Sequence, residues 1–162
     1  MAYIGPPKEF EETVVQINRI SKKTKGGNQV RFSALVVVGD RKGRVGVGIA
    51  KATDVRNAIR KSVEAAKRRL IVVPMSGTTI PYSIRSKFSA AKIMLKPAPP
   101  GSGIVAGGPI RVVLEAAGIR DAVGKILGTK NKISNVYATL TALEKISEMV
   151  YMKQVEKPSK DK

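Results

Sequence analysis

The residues of this sequence best suited to chemistry are lysines and arginines that lie close to glycines. Between Ser21 and Gly48, two basic segments that contain glycine, 22–28 and 40–43, flank the strongly apolar run 32–38. Lysine and arginine carry the charge that a phosphate backbone attracts, and glycine lets a main chain approach a ligand closely. If the apolar run is a strand, it holds both segments as cationic loops, which predicts a surface that binds a polyanion.

Most residue types that catalyse reactions are missing. The 162 residues include no cysteine and no histidine, so there is no thiol nucleophile and no imidazole base, and the usual zinc ligands are missing. The 12 acidic residues stand mostly beside basic ones, as salt-bridge partners and helix caps do. We therefore predict that the protein is not an enzyme and uses no cofactor or metal ion.

The charge of the chain indicates which class of partner it binds. Lysine and arginine number 30, the net charge is +18, and the segment from Lys22 to Arg69 holds 14 basic residues against three acidic ones. Such a field destabilises a fold through self-repulsion and is typical of proteins whose partner is an anion. Nucleic acid is the predicted partner, with an anionic membrane surface or an acidic protein as alternatives. Because aromatic residues are 4% of the chain and tryptophan is absent, we expect recognition of folded RNA through shape and phosphates, not base stacking.

The first half of the chain predicts three strands followed by a helix. β-Branched residues and alternation predict strands at 13–20, 29–39 and 44–50, with Val36 to Val38 buried on both faces. Asp40 to Gly43 fits a type I turn. Gly46 and Gly48 predict close approach of another backbone or a ligand. A helix with an apolar stripe is predicted from the cap at Thr53 or Asp54 to about Arg69, followed by a short strand at 70–73.

The second half predicts another mixed unit. We expect a boundary at 75–78, an extended arm over 1–12 and a flexible basic tail over 152–162. Strands are predicted at 79–88, 91–96 and 119–127. Helices are predicted from Pro109 to Gly118 and over 131–150.

The glycine-rich segment 101–108 raises the alternative of a nucleotide site. It precedes a predicted helix, and Asp121 lies near the spacing of a ribose-binding acid. However, its glycine spacing is one residue longer than the dinucleotide fingerprint, prolines separate it from the preceding strand, and it lacks a lysine-serine pair. We expect instead that its backbone packs closely against a helix, a neighbouring protein or an RNA phosphate.

Three ordered motifs resemble one family. NRISKKTKGG from Asn18, VGDRKGRVGVG from Val38 and KPAPPGSGIVAGG from Lys96 resemble the bacterial small-subunit ribosomal protein S-five family, over roughly 13–146. The resemblance implies an α+β fold. A double-stranded-RNA-binding-like domain, a three-stranded sheet plus a helix, spans 13–74. A β-α sandwich domain of the S-five domain-two type spans 75–151.

The resemblance also implies a function. Members of the family are structural constituents of the small (30S) subunit in the cytoplasm, bind 16S rRNA, affect translational accuracy, and line the channel through which mRNA enters. No small-molecule substrate or membrane is implied. The implied rRNA-binding residues are Arg19, Lys22, Lys23, Lys25, Gly26, Gly27, Asn28, Arg31, Arg41, Lys42, Arg44, Lys51, Arg56, Arg60 and Lys61.

Protein partners follow from the same resemblance. The 21–28 loop matches the one that reaches the spectinomycin site. Gly101, Ser102, Gly103 and Arg111 match the contact with protein S-four, the last helix matches the surface facing S-eight, and S-three is a neighbour where mRNA enters. Asn131-Lys132 replaces the usual Asn-Pro, which affects the predicted S-eight contact. The alternatives to a ribosomal function are a free-standing double-stranded-RNA-binding protein and a small-molecule kinase.

Overall fold

A computed structural model describes residues 10–156, without the side chains of residues 22, 24, 28 and 154–156. Two four-stranded sheets, in the orders β1-β2-β3-β4 and β5-β6-β8-β7, form the framework of this stretch. The elements, in chain order, are β1 (Glu11–Thr24), β2 (Gly27–Gly39), β3 (Arg44–Ala52), α1 (Val55–Arg68), β4 (Ile71–Val72), β5 (Ile84–Phe88), β6 (Ala91–Pro97), β7 (Ile104–Val105), α2 (Gly108–Ala117), β8 (Ala122–Ile126) and α3 (Lys132–Glu156).

The central strand β2 is buried on both faces, as its run of valines predicts. Successive side chains of a strand point to opposite faces. Ala34, Val36 and Val38 pack in the cluster beneath α1, whereas Leu35 and Val37 belong to the larger core that the second half of the chain shares. Each fully buried valine contributes roughly 1.5–3 kcal/mol relative to an exposed one.

The hairpin of β1 and β2 is longer than predicted, and the expected loop over 21–28 is mostly strand. Thr24 pairs with Gly27, so only Lys25 and Gly26 connect the strands. Glu11 and Glu12, expected in the arm, also belong to β1. Since β3 pairs with β2 only from Phe32 onward, the distal end of the hairpin projects beyond the sheet as a two-stranded ribbon.

Helix α1 lies directly against β3, as the two strand glycines predict. A Cβ atom at Gly48 would lie 2.0 Å from the carbonyl oxygen of Ser62, and one at Gly46 would lie 2.4 Å from that of Ala66. The Ser62 hydroxyl donates to the Ala34 carbonyl at 2.8 Å. The close approach is therefore to a protein backbone.

The second sheet begins later than predicted. Residues 79–83 are not a strand, because Thr79 forms an isolated bridge with Ser76 and Pro81 lacks the N–H of a ladder. The predicted strand at 91–96 is confirmed as β6, the one at 119–127 is confirmed over 122–126 as β8, and β7 adds a two-residue parallel edge.

Both helices of the second half begin where the sequence predicts. Pro109 is in the first turn of α2, and Gly118 ends that helix at φ 94°. The Asn131 carboxamide accepts a hydrogen bond from the Ile133 N–H at 3.0 Å at the start of α3. Helix α3 continues to Glu156 and so includes 152–156 of the expected tail, with the Lys153 ammonium 4.0 Å from the centre of the Tyr82 ring. Residues 157–162 lie outside the described part.

The two halves share one core across the predicted boundary. Leu35, Val45 and Val73 belong to the same buried cluster as α2, α3 and the second sheet. Backbone hydrogen bonds also join the halves, from the Arg41 N–H to the Ala116 carbonyl (3.0 Å) and from the Gly43 N–H to the Ala117 carbonyl (2.9 Å). The two sheets are therefore packed together through side chains and backbone.

Candidate nucleic-acid interface

Four predicted RNA-binding cations line one cavity. Arg31 in β2, Lys51 in β3, and Arg60 and Lys61 in α1 surround a space of about 280 Å³. All four are exposed, and none of the seven lining residues is acidic. An unneutralised group of this kind attracts an anion.

The same surface continues toward the projecting hairpin. Arg31 and Lys51 also line an adjoining cavity of about 210 Å³ with Ile20 and Gln29. Arg19 at the base of the ribbon is exposed, as are Lys23 and Lys25 farther along it. The backbones of Lys22 and Asn28 lie in the ribbon strands, but their side chains are outside the described part. The hairpin therefore extends the cationic surface away from the protein body.

Sequence reasoning missed some lining residues. Ala52, Thr53 and Asn57 complete the first cavity beside the four cations. Asn57 lies three and four residues before Arg60 and Lys61, which places all three on neighbouring positions of a helix surface. That spacing could have identified Asn57, whereas Thr53 was considered only as a cap.

Three other predicted cations lie at the opposite end of β2. Arg41, Lys42 and Arg44 follow Gly39, whereas the hairpin turn precedes Gly27, so about 40 Å of strand separates them. Arg56 is exposed on α1 but does not line the described cavity. The predicted RNA-binding residues therefore lie in two regions joined by a strand.

The 40–43 turn is not the predicted type I turn. Arg41 has φ 59°, a left-handed conformation that a type I turn does not contain at that position. The Arg41 N–H donates to the Ala116 carbonyl, so a contact with α2 sets this conformation. The Asp40 carboxylate accepts hydrogen bonds from the Lys42 N–H at 2.8 Å and the Arg44 Nε at 2.7 Å. Burial raises the pKa of Asp40, but these hydrogen bonds outweigh it and the net pKa lies below 3.8.

The turn region shares a cavity with part of the predicted protein contact. Arg41, Gly103 and Arg111 line a space of about 470 Å³ together with Arg120 and Glu115. Gly101 and Ser102 immediately precede Gly103 in the sequence but do not line this cavity. Arg41 pairs with Glu11 at 2.7 Å and Arg111 with Glu115 at 3.0 Å, so both guanidinium groups already contact carboxylates.

The glycine-rich loop is held by a buried aspartate, which corrects the ribose-binding alternative for Asp121. The Asp121 carboxylate accepts hydrogen bonds from the Gly101 N–H at 3.1 Å, the Gly103 N–H at 2.9 Å and the Thr78 hydroxyl at 2.5 Å. These two amides are thus bonded to protein, unlike those of a phosphate-binding loop. The hydrogen bonds from Thr78 and Gly103 lower the pKa of Asp121 below its ordinary value of 3.8.

We expect Asp121→Asn to weaken the acid dependence of stability. Because the folded-state pKa is lowered, the carboxylate stabilises the fold above about pH 3.8, and this contribution is lost as the pH falls through the lowered pKa. Urea unfolding between pH 5 and 2 should therefore show a smaller loss of unfolding free energy for the variant than for the wild type. Asp54→Asn is the matched control, since Asp54 is exposed and makes no capping hydrogen bond. Equal pH slopes for all three proteins would contradict the assignment.

Two other kinds of site are absent from residues 10–156. No group of three or more acidic, histidine or cysteine side chains there is placed to hold a metal ion. No helix in that stretch is long and apolar enough to cross a membrane.

Comparison with known proteins identifies the family. The family model "Ribosomal protein S5, N-terminal domain" matches residues 10–74, and "Ribosomal protein S5, C-terminal domain" matches residues 86–156. A relative from Chloroflexus aurantiacus, named "Small ribosomal subunit protein uS5", is 52% identical over 141 residues, covering 87% of this chain and 79% of the relative. This chain belongs to the ribosomal protein S5 family. The resemblance inferred from the three motifs is therefore confirmed, and S5 is a ribosomal family, not a family of enzymes.

Membership agrees with the two-part α+β fold. The N-terminal S5 match covers the first sheet and α1, and the C-terminal match covers the second sheet from Ser86 in β5 onward, with α2 and α3. The short strand β4 extends the predicted three-stranded sheet to four strands by pairing with Arg44 and Val45. The four-cation cavity lies wholly within the N-terminal S5 match.

Proposed function

We propose that this chain is a structural constituent of the small ribosomal subunit in the cytoplasm and binds 16S rRNA. The observation that supports this most directly is the cavity lined by Arg31, Lys51, Arg60 and Lys61, which has no acidic lining residue. The relative from Chloroflexus aurantiacus is named as a small-subunit protein. RNA phosphates neutralise the repulsion among the four cations, so the same charges that disfavour the free protein favour the complex.

The projecting hairpin supports a contact at a distance from the protein body. A two-stranded ribbon with exposed Lys23 and Lys25 reaches beyond the three-stranded part of the sheet, and exposed Arg19 lies at its base, opposite Phe32. We infer that this ribbon inserts between rRNA segments and reaches the spectinomycin site. Lys22, Gly26, Gly27 and Asn28 belong to the same contact.

The finer assignments concern neighbouring proteins and mRNA. We infer that the 101–103 loop and Arg111 contact S-four, and that this contact affects translational accuracy. We infer that α3 contacts S-eight. We also infer that the protein lies beside S-three where mRNA enters the subunit. The Asp121 hydrogen bonds support the first of these assignments, because they hold Gly101 and Gly103 in fixed positions.

The experiment that tests the proposed function compares two RNAs. Purified full-length chain is titrated with 16S rRNA and with a generic RNA duplex, and binding is measured by filter retention over a series of salt concentrations. We expect 16S rRNA to bind more tightly by at least about two decades at 150 mM salt, since specific sites exceed non-specific ones by about three decades or more in comparable nucleic-acid complexes. Equal affinity for both RNAs would contradict the proposal and favour a free-standing double-stranded-RNA-binding protein.

A further inference from the structure

The second sheet has one open face. The face toward α2 and α3 holds Ile93, Leu95 and Gly124, and a Cβ atom at Gly124 would lie 2.9 Å from Ile110 of α2. Side chains alternate along a strand, so the intervening positions point to the opposite face. Five exposed cations occupy those positions: Arg85, Lys87, Lys92, Lys96 and Lys125.

Strand pairing brings these cations together. Lys87 lies directly opposite Lys92, and Met94 lies between Arg85 on one side and Lys125 on the other. Like charges directly opposite each other destabilise a sheet. None of the outward positions of β5, β6 and β8 is acidic, so no carboxylate in these three strands offsets the charge. The arrangement therefore becomes favourable when an external anion covers it.

We propose that this open face is a second RNA-binding surface, which contacts phosphates and not bases. The inference rests on the proposed function and adds a site in the C-terminal S5 domain. Sheets that read bases present aromatic side chains on their face. Here the uncharged outward positions are Met94 and Val123, which are half-buried, and the exposed Val105 of the edge strand β7, and none of them offers a ring for stacking.

The composition of the face favours RNA over other anionic partners. Four of its five cations are lysines, and lysine is depleted in protein–protein interfaces, where aromatic residues and arginine are enriched. Binding in a membrane interface requires a broad apolar surface beside the charges. Met94 and Val123 are half-buried, and Val105 on the edge strand β7 is the one exposed apolar side chain of this face among the described strands, so the face lacks such a surface. A lysine ammonium bonds a phosphate oxygen as a point charge without a fixed orientation, which suits a sugar-phosphate backbone.

The main test is a charge-removal variant of the full chain. Lys87, Lys92 and Lys125 are replaced together by Gln, and 16S rRNA binding is measured from 50 to 300 mM salt. We expect the slope of log K against log salt to fall in magnitude by about two to three, at 0.7–0.9 per phosphate contact. The control replaces Lys132, Lys145 and Lys153 by Gln, all exposed on α3 at the other side of the sheet, and should lower the slope by less than about one unit.

Lysine footprinting of the unmodified protein gives a second measurement that does not depend on how the variant folds. Acetylation with and without 16S rRNA, read by mass spectrometry, should show protection of Lys87, Lys92, Lys96 and Lys125, but not of Lys145. Equal labelling of all five, together with equal salt slopes for variant and control, would overturn the inference while leaving the proposed function standing. Absence of 16S rRNA binding by the wild type would overturn both.

Two further probes separate the remaining anionic partners. The wild type and the triple variant are titrated with phosphatidylserine-containing vesicles and with polyglutamate. We expect the triple variant to lose less binding to either probe than it loses to 16S rRNA. A larger loss of binding to vesicles or to polyglutamate than to rRNA would overturn the RNA assignment and point to a membrane or to an acidic protein.

Discussion

Simultaneous replacement of Arg31, Lys51, Arg60 and Lys61 by Gln is expected to produce the largest loss of RNA binding. The four side chains line one cavity without an acidic neighbour among its lining residues, so each is placed to neutralise a phosphate. Removing four contacts should lower the magnitude of the salt slope for 16S rRNA by about three. The affinity at 50 mM salt should fall more steeply than at 300 mM, because screening already weakens the wild-type contacts at high salt.

The control for this variant removes the same number of charges elsewhere. Lys130, Lys132, Lys145 and Lys153 are exposed in or just before α3, and their replacement by Gln should lower the slope by less than about one unit. The cavity variant should also be at least as resistant to urea as the wild type, because it loses repulsion and no buried contact. If both quadruple variants lower the slope equally, general net charge explains binding and the cavity is not the site.

Gly118→Ala is expected to produce the largest loss of stability. Gly118 has φ 94°, and a Cβ atom there would lie 2.2 Å from the Arg41 carbonyl oxygen. Backbone strain of this kind costs roughly 1–3 kcal/mol, and forcing backbones apart in a packed region costs roughly 1–3 kcal/mol more. A total of about 4 kcal/mol should lower Tm by about 10 °C, since 1 kcal/mol corresponds to about 2–4 °C in a protein of this size.

Other glycines of the same chain separate the two causes. Gly77 has φ 65°, and a Cβ atom there would have no neighbouring atom within 4 Å, so Gly77→Ala tests strain alone. Gly48→Ala tests the steric contact alone, since its Cβ would meet the Ser62 carbonyl at 2.0 Å. Gly26→Ala should be nearly neutral, because its surroundings are open. Thermal unfolding followed by circular dichroism ranks the four variants, and a Gly118→Ala loss no larger than that of Gly77→Ala would contradict the close contact with Arg41.

Local patterns predicted the elements whose causes are local. Three successive valines at 36–38 indicated a strand buried on both faces, and both clusters of the structure contain members of that run. Gly46 and Gly48 indicated a close backbone approach, which the carbonyl oxygens of Ala66 and Ser62 supply. Helix ends were predictable where a single residue sets them, as Gly118 does after α2.

Features set by distant parts of the chain were not predictable from spacing. Arg41 has a left-handed conformation, and its N–H donates a hydrogen bond to the Ala116 carbonyl in α2. The sequence of the turn does not reveal this partner, which lies about 75 residues farther along the chain. Asp121 has the approximate spacing of a ribose-binding acid, but its role depends on the Gly101, Gly103 and Thr78 groups that the fold brings to it. Helix α3 ends six residues later than predicted, because no glycine or proline interrupts 132–156.

The sequence predicted the sign and composition of the candidate site better than its geometry. The two basic loops were predicted to flank one strand, but the distance between them was not predicted, and the length of β2 separates Arg41 and Arg44 from Lys25 by about 40 Å. The five cations of the second sheet were overlooked for a related reason. Lys87 and Lys92 belong to different strands, and Lys125 lies much farther along the chain, so only the pairing register places them on one face.

The most direct test of the central claim is sedimentation of the tagged full-length chain through sucrose gradients, from cell lysate at low and at high salt. An integral small-subunit protein is predicted to migrate with the small subunit and to remain there through the high-salt wash. Release into the light fractions at high salt, with no protein left in the subunit peak, would contradict that claim and indicate a loosely bound RNA-binding factor.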